Sequence, residues 1–325
     1  MIKENKDYSK LGFVYTVYVC ANVLVQYIFA YLVYNNIIPK DTNIINLLGN
    51  GLMYIIGLLI LIPLVYKPSK LNKQLDKNKT KISEFFQYFF IAYFLMICSN
   101  IIGLIITGAI SLVKGTPVIN PIGVVLGELD ISISFILACI LAPIIEELFF
   151  RKFIIDKLHI HGKWVTIFIS GLMFGLFHGN LNQFTYAFIL GMFLAYIYVK
   201  KGNINVCILL HAAINSIGFI AVLITNNIDV EFLNNITSTD VTSLIASISM
   251  SDVISLLLLL LFEFIIFTVF ILGLVFLVLE FKNIKSDISQ YRDNSAITLR
   301  QAITSKGILA FTILHIIIIF KQLFE

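Results

Sequence analysis

Nine apolar stretches, most of them long enough to cross a bilayer, govern what this chain can fold into. They cover residues 11–36, 47–66, 85–113, 131–150, 164–179, 183–199, 204–225, 253–280 and 307–323. A membrane-crossing helix needs about 20 predominantly apolar residues. Backbone polar groups in lipid must find partners within their own segment, so such runs form helices. The fifth and sixth stretches are short, and the last is the least distinct. Of the 325 residues 59% are hydrophobic and only 13% are charged, where soluble domains carry about 25%. The mean hydropathy is +0.94. The expected fold is an all-α membrane protein, a polytopic bundle of about eight or nine transmembrane helices. Residues 1–325 are read as one membrane domain without a soluble appendage. The first apolar run is too long for a signal-peptide core and lacks a small-residue cleavage site, so it reads as a retained span.

Charge placement sets the expected orientation. With the N-terminus taken as cytoplasmic, the 23 Lys and Arg residues all fall on the inner side except Lys40, Lys114 and Lys321. The outer connections lean acidic, with Asp41, Glu128, Asp130, Asp229, Glu231, Asp240 and Asp252. That asymmetry is the positive-inside pattern of a multi-pass cell-membrane protein, and the Ile/Asn/Lys-rich usage fits a bacterial plasma membrane. The net charge of +4 is therefore topological. It implies contact with anionic headgroups of the lipid bilayer rather than with nucleic acid.

The remaining organisation is plain. Cys20, Cys98, Cys139 and Cys207 all lie in spans and form no CxxC, so they read as packing residues without a disulfide framework. A Lys-rich connector occupies 67–84, and a polar outer segment with the sequon Asn235-Ile236-Thr237 occupies 226–252. The mixed-charge segment 281–306 reads as a surface helix. No internal repeat is visible, which disfavours the inverted halves of many transporters. Gly171, Gly175 and Gly179 recur every four residues, as do Ala187, Gly191 and Ala195. Such small-residue ridges let helix backbones approach closely in lipid.

Ionisable residues within spans carry the chemical information, because each acidic side chain at mid-span costs roughly 2.5–3.5 kcal/mol on translocon scales. The candidates are Glu146, Glu147, His178, His211, Glu263 and His315. Glu147 and Arg151 stand at i,i+4 on one helix face, in the favourable Glu-first order. Glu146 points about 100° away, so it is freer to act on water. His178 ends the fifth span, four residues after Phe174. His211 lies about 13 Å along its span from Gly202 by helical rise, with Asn215 one turn further on the same face. A carboxylate can relay a proton from water to a leaving amine. An imidazole can orient that water, and two further donors can stabilise an oxyanion. No GxSxG, SxxK or HExxH occurs, which leaves water as the nucleophile.

Three motifs follow in order on successive hydrophobic segments: Glu146-Glu147-Leu-Phe-Phe-Arg151, Phe174-Gly-Leu-Phe-His178 and His211-Ala-Ala-Ile-Asn215. In this the chain resembles the CPBP family, which includes the CAAX prenyl endopeptidases and the bacteriocin-processing or self-immunity (Abi) proteins. The resemblance covers about 130–220, the expected catalytic core. It implies an intramembrane endopeptidase acting on a membrane-associated peptide or a lipidated or membrane-bound protein tail. By position, Glu146 and His178 activate water, His211 and Asn215 form the oxyanion site, and Glu147, Arg151 and Phe174 support them. Glu146, His178 and His211 are also a chemically suitable set for a divalent ion such as Zn2+. The metal-free mechanism is favoured, because Asn215 is a poor zinc ligand and a good donor. A non-catalytic immunity or scaffold protein and a proton-coupled transporter are the competing readings. Glu263 and His315 match no motif and read as packing residues, with Glu263 alternatively lining the chamber.

One geometric condition attaches to the site. If the fourth helix ended at Phe150, Glu146 would lie at one membrane face and His178 roughly 21 Å along the fifth span. The groups meet only if helix four continues to about Leu158. The expected result is an intramembrane catalytic chamber in the inner half to middle of the bilayer.

Overall fold

The computed structural model of the chain describes residues 3–65, 75–118, 120, 129–226 and 250–324. Its helices are α1 (Lys3–Tyr34), α2 (Thr42–Leu64), α3 (Ile82–Lys114), α4 (Ile131–His161) and α5 (Lys163–Phe177). They continue as α6 (Leu181–Lys201), α7 (Ile204–Asn226), α8 (Met250–Asp293), the short α9 (Leu299–Ile303) and α10 (Lys306–Phe324). No strand occurs among the described residues. Among the described residues, eight helices are long and apolar enough to cross a membrane, and α5 is a shorter apolar helix. The chain is a polytopic all-helical membrane protein.

Its surface is that of a protein solvated by lipid. Large apolar side chains stand open along the outer helices, among them Leu59, Leu104, Leu260 and Phe264. On a soluble protein so extensive an apolar surface would demand a covering partner. The interior holds polar groups instead, including Glu147, Arg151, His211 and Asn182.

Local signals set the helix ends. Asp41 caps α2 by accepting from the Ile44 amide at 2.9 Å, which serves one of the unpaired amides of the first turn. Gly202 ends α6 with φ of 62°, a left-handed conformation that a side chain disfavours. The mixed-charge segment after residue 280 is not a separate surface helix. Helix α8 runs unbroken to Asp293, because no Gly or Pro interrupts residues 281–293. The sequon at Asn235, the acidic residues Glu128, Asp229, Glu231 and Asp240, and positions 66–74 of the Lys-rich region lie outside the described residues.

Helix α4 is irregular in a way that its sequence explains. Its turns are π-helical over Ile136–Leu141 and again over Glu147–Phe153. Pro143 stands two residues after the end of the first wide turn. Proline has no N–H and its ring crowds the carbonyl four residues back; a wide turn gives that ring room. The Ala142 amide bonds to the Leu137 carbonyl, five residues back. The next such bond would run from residue 143 to Ala138, and Pro143 cannot make it. In the second wide turn, carbonyls accept from neighbouring helices. The Tyr15 hydroxyl donates to Phe149 O, and the Ser170 hydroxyl donates to Phe150 O at 2.7 Å. Those bonds fix α4 against α1 and α5.

Close backbone approaches position the other walls. In the α5–α6 hairpin, a β-carbon placed on Gly175 would lie 2.9 Å from Phe188 Cβ and 3.0 Å from Phe184 O. Helices α1 and α10 touch at Gly12 and Gly307, and α8 meets α3 where Gly273 faces the Phe90 carbonyl. Small residues allow these contacts, which supply packing where lipid offers no hydrophobic drive.

Candidate active site

Helix α4 extends past Arg151 to His161, and this extension brings the motif residues together. Glu146, His178, His211 and Asn215 all line one cavity of about 610 Å3. Its walls come from α3 to α8, with Tyr93 and Asn100 on α3, Gln183 and Tyr186 on α6, and Glu263 on α8. The volume falls within the usual range of small-molecule sites.

Behind the cavity wall, Glu147 and Arg151 are both fully buried and pair through Arg151 Nε and Glu147 Oε2 at 3.1 Å. This is the i,i+4 pair that the spacing predicts. The other oxygen of Glu147 meets His211 Nδ1 at 2.9 Å. An ionised carboxylate only accepts, so His211 Nδ1 carries the hydrogen in this bond. The remaining ring nitrogen, Nε2, faces Glu146 Oε2 at 3.9 Å. Arg151, Glu147 and His211 thus form a chain that ends at Glu146.

His178 is set by the turn between α5 and α6. Gly179 takes a positive φ of 65°, and Asn180 caps α6 by accepting from the Gln183 amide at 2.9 Å. Asn180 Nδ2 also donates to the His178 carbonyl at 3.0 Å. The His178 ring donates from Nδ1 to Phe174 O at 2.9 Å, which leaves Nε2 as the nitrogen available to the cavity. Phe174 is the platform for the whole group. Its ring lies edge-on to His178 at 4.9 Å and to His211 at 5.7 Å. The Arg151 guanidinium sits over the same ring at 4.1 Å, a cation–π contact.

Asn215 has a second duty. Its Nδ2 donates to Ala138 O at 2.8 Å, the carbonyl that Pro143 leaves without a backbone donor. One amide hydrogen is therefore committed to α4, and the other remains. This link binds α7 to the wide turn that precedes Glu146.

Two further candidates separate. Glu263 joins the cavity wall. His315 does not; it is buried on α10, its Nδ1 bonds to Phe311 O at 2.8 Å, and it borders a different cavity with Asn22 and Gln26. Zinc sites take three or four ligands. Among the described residues no three His, Cys, Asp or Glu side chains stand at such a spacing, so the side chains as placed do not make a zinc site. Residues that the motifs did not reveal also line the cavity, notably Asn100 and Gln183. Their signal was available as uncharged polar residues inside apolar stretches.

Residues 128–217 match the Type II CAAX prenyl endopeptidase Rce1-like family. The UPF0177 protein YxdF of Lactococcus lactis subsp. lactis (strain IL1403) is 30% identical over 95 residues, which is 29% of this chain and 52% of that protein. The chain thus spans about half the length of the curated relative it matches. No solved structure matches the chain. All three motifs fall inside the matched stretch, so the similarity to the Rce1-like CAAX prenyl endopeptidase family lies in the residues that line the cavity.

Proposed function

We propose that this protein is an intramembrane endopeptidase in which Glu146 and His178 activate water and His211 and Asn215 stabilise the oxyanion. The observation that carries the reading is the shared cavity: four motif residues from α4, α5 and α7 converge on it within apolar helices. Similarity to the Rce1-like family over residues 128–217 supports protease chemistry in general.

The steps use the chain's own groups. His178 Nε2 accepts one hydrogen of a water molecule, and the Glu146 carboxylate takes the other as a proton. The water oxygen adds to the carbonyl carbon of the peptide bond, and the carbonyl electron pair moves onto oxygen. His211 donates to that oxygen from Nε2 in its doubly protonated form, with Glu147 beneath it as counter-charge. The free amide hydrogen of Asn215 is the second donor. The carbon–nitrogen bond then breaks as the proton on Glu146 passes to the leaving amine. The substrate is a membrane-associated peptide or protein tail.

The test compares membrane and secreted peptides between cells with the wild-type protein and cells with Glu146→Gln, then repeats cleavage with purified protein. Glu146→Gln and His178→Ala each abolish cleavage while the protein still inserts. Unchanged cleavage by either variant sinks this mechanism. Protection or signalling that survives Glu146→Gln establishes the non-catalytic reading, and proton-coupled flux in proteoliposomes the transporter. Bound-zinc analysis and activity after chelation decide between metal-free and metal chemistry.

A further inference from the structure

Glu263 belongs to none of the three motifs, yet it opens into the same cavity. It lies about 15 Å along α8 from Val253 by helical rise, well inside the apolar stretch 253–280. Two ring contacts define how α8 lies against α3. Phe90 stacks on Phe276 at 5.7 Å, and Phe94 meets Phe270 at 4.8 Å. The helices are therefore antiparallel, and the same register places Glu263 level with Asn100, which also lines the cavity.

Charge bookkeeping shows what Glu263 lacks. Its side chain is exposed, and it has no hydrogen-bond or ion-pair partner among the described residues. Turned towards lipid, such a carboxylate costs roughly 2.5–3.5 kcal/mol; ionisable residues in spans face cavities and find partners there. The described cavity lining contains the carboxylates of Glu146 and Glu263 and no Lys or Arg. Arg151 is already committed to Glu147 behind the wall. Apart from the two histidines of the reaction site, the described lining thus offers Glu263 no cationic side chain. The rest of the lining is largely apolar, with Met96, Ile214, Phe262 and Ile266.

We infer that Glu263 is a specificity residue that holds a cationic group of the substrate, a Lys or Arg side chain or a free N-terminus on an otherwise apolar peptide. The inference rests on the endopeptidase reading, and it places the cation at a fixed number of residues from the bond presented to Glu146 and His178. An acidic residue at that register meets a like charge and is rejected.

The test uses the full chain in nanodiscs of zwitterionic phosphatidylcholine, which removes attraction of cations to the lipid. The probes are capped 12-residue Leu/Ala peptides with a fluorophore and quencher, carrying one Lys at each position in turn, or norleucine or Glu there. Binding is measured by fluorescence anisotropy in the Glu146→Gln background and cleavage with Glu146 intact. The Lys peptide of one register binds and is cut at least tenfold better than its norleucine counterpart. Glu263→Gln brings that ratio close to one, and Glu263→Lys reverses the preference towards the Glu peptide. Cleavage without a Lys preference, or a preference that persists in Glu263→Gln, overturns the inference while the endopeptidase stands. Lys-selective binding that depends on Glu263 but leads to no cleavage overturns the endopeptidase and leaves the cation site standing.

Discussion

Replacing Arg151 with Met should be among the most damaging single changes outside the cavity itself. Arg151 and Glu147 are each fully buried, and their closest atoms are 3.1 Å apart. The two terminal guanidinium nitrogens have no hydrogen-bond partner, so the arginine is held by one ionic contact and by the face of Phe174. At an effective dielectric constant near 20, unit charges at that separation attract by about 5 kcal/mol. Removing one partner of a buried pair generally costs about 3–5 kcal/mol, because the survivor is left without a counter-charge. Arg151→Met should therefore destabilise the protein by about 4 kcal/mol. The double variant Glu147→Gln/Arg151→Met removes both charges, and its glutamine oxygen still accepts from His211 Nδ1. It should recover to within about 1 kcal/mol of wild type. Reversible unfolding in mixed micelles, titrated with SDS, measures both. A loss below about 1 kcal/mol for Arg151→Met, or a double variant no more stable than the single, refutes the reasoning.

Three further outcomes are expected. Gly175→Ala brings a methyl group within 2.9–3.0 Å of Phe188 and Phe184, so α5 and α6 must part. The strain costs about 1–3 kcal/mol, and displacement of His178 lowers kcat/KM about tenfold, since a 1 Å misplacement can cost about a hundredfold. Asn215→Ala orphans the Ala138 carbonyl at a cost of about 1–3 kcal/mol; Pro143→Ala in that background restores a backbone donor and recovers part of the loss, as a double-mutant cycle in the same unfolding assay would measure. Asp287→Asn breaks the Lys200–Asp287 pair, whose side chains are 30% and 27% exposed. It should cost less than about 1 kcal/mol in the same unfolding assay.

The helices, and the need for α4 to pass Arg151, were legible because apolar length and residue spacing act within one segment. The Glu147–Arg151 pair was legible for the same reason, since four residues make one turn. The bond from Glu147 to His211 was not. It depends on how α4 and α7 are rotated about their axes, and two wide turns in α4 alter that rotation. Pro143 was in plain view, and a proline inside a span does signal a carbonyl without its donor. What the sequence does not reveal is which side chain answers it, because Asn215 lies 77 positions from Ala138. Glu263 was visible as a costly residue, but its place in the cavity comes from ring contacts between α3 and α8. The short segment after residue 280 was misread because charge alone suggested a new element where nothing ends the old one.

The contact between Gly273 and Phe90 makes α8 a lever with its fulcrum inside the membrane. The helix has 44 residues, roughly 66 Å by helical rise, about twice the thickness of the hydrocarbon layer. Glu263 lies about 15 Å to one side of Gly273, and Asp287 about 21 Å to the other. A rigid tilt of about 5° at that pivot carries Glu263 roughly 1.3 Å across the cavity. The bonds from Lys200 and Tyr196 to Asp287, at 2.8 and 2.7 Å, brace the far arm. A shift at that brace would be felt as a change in the width of the cavity at Glu263, about 36 Å along the same helix.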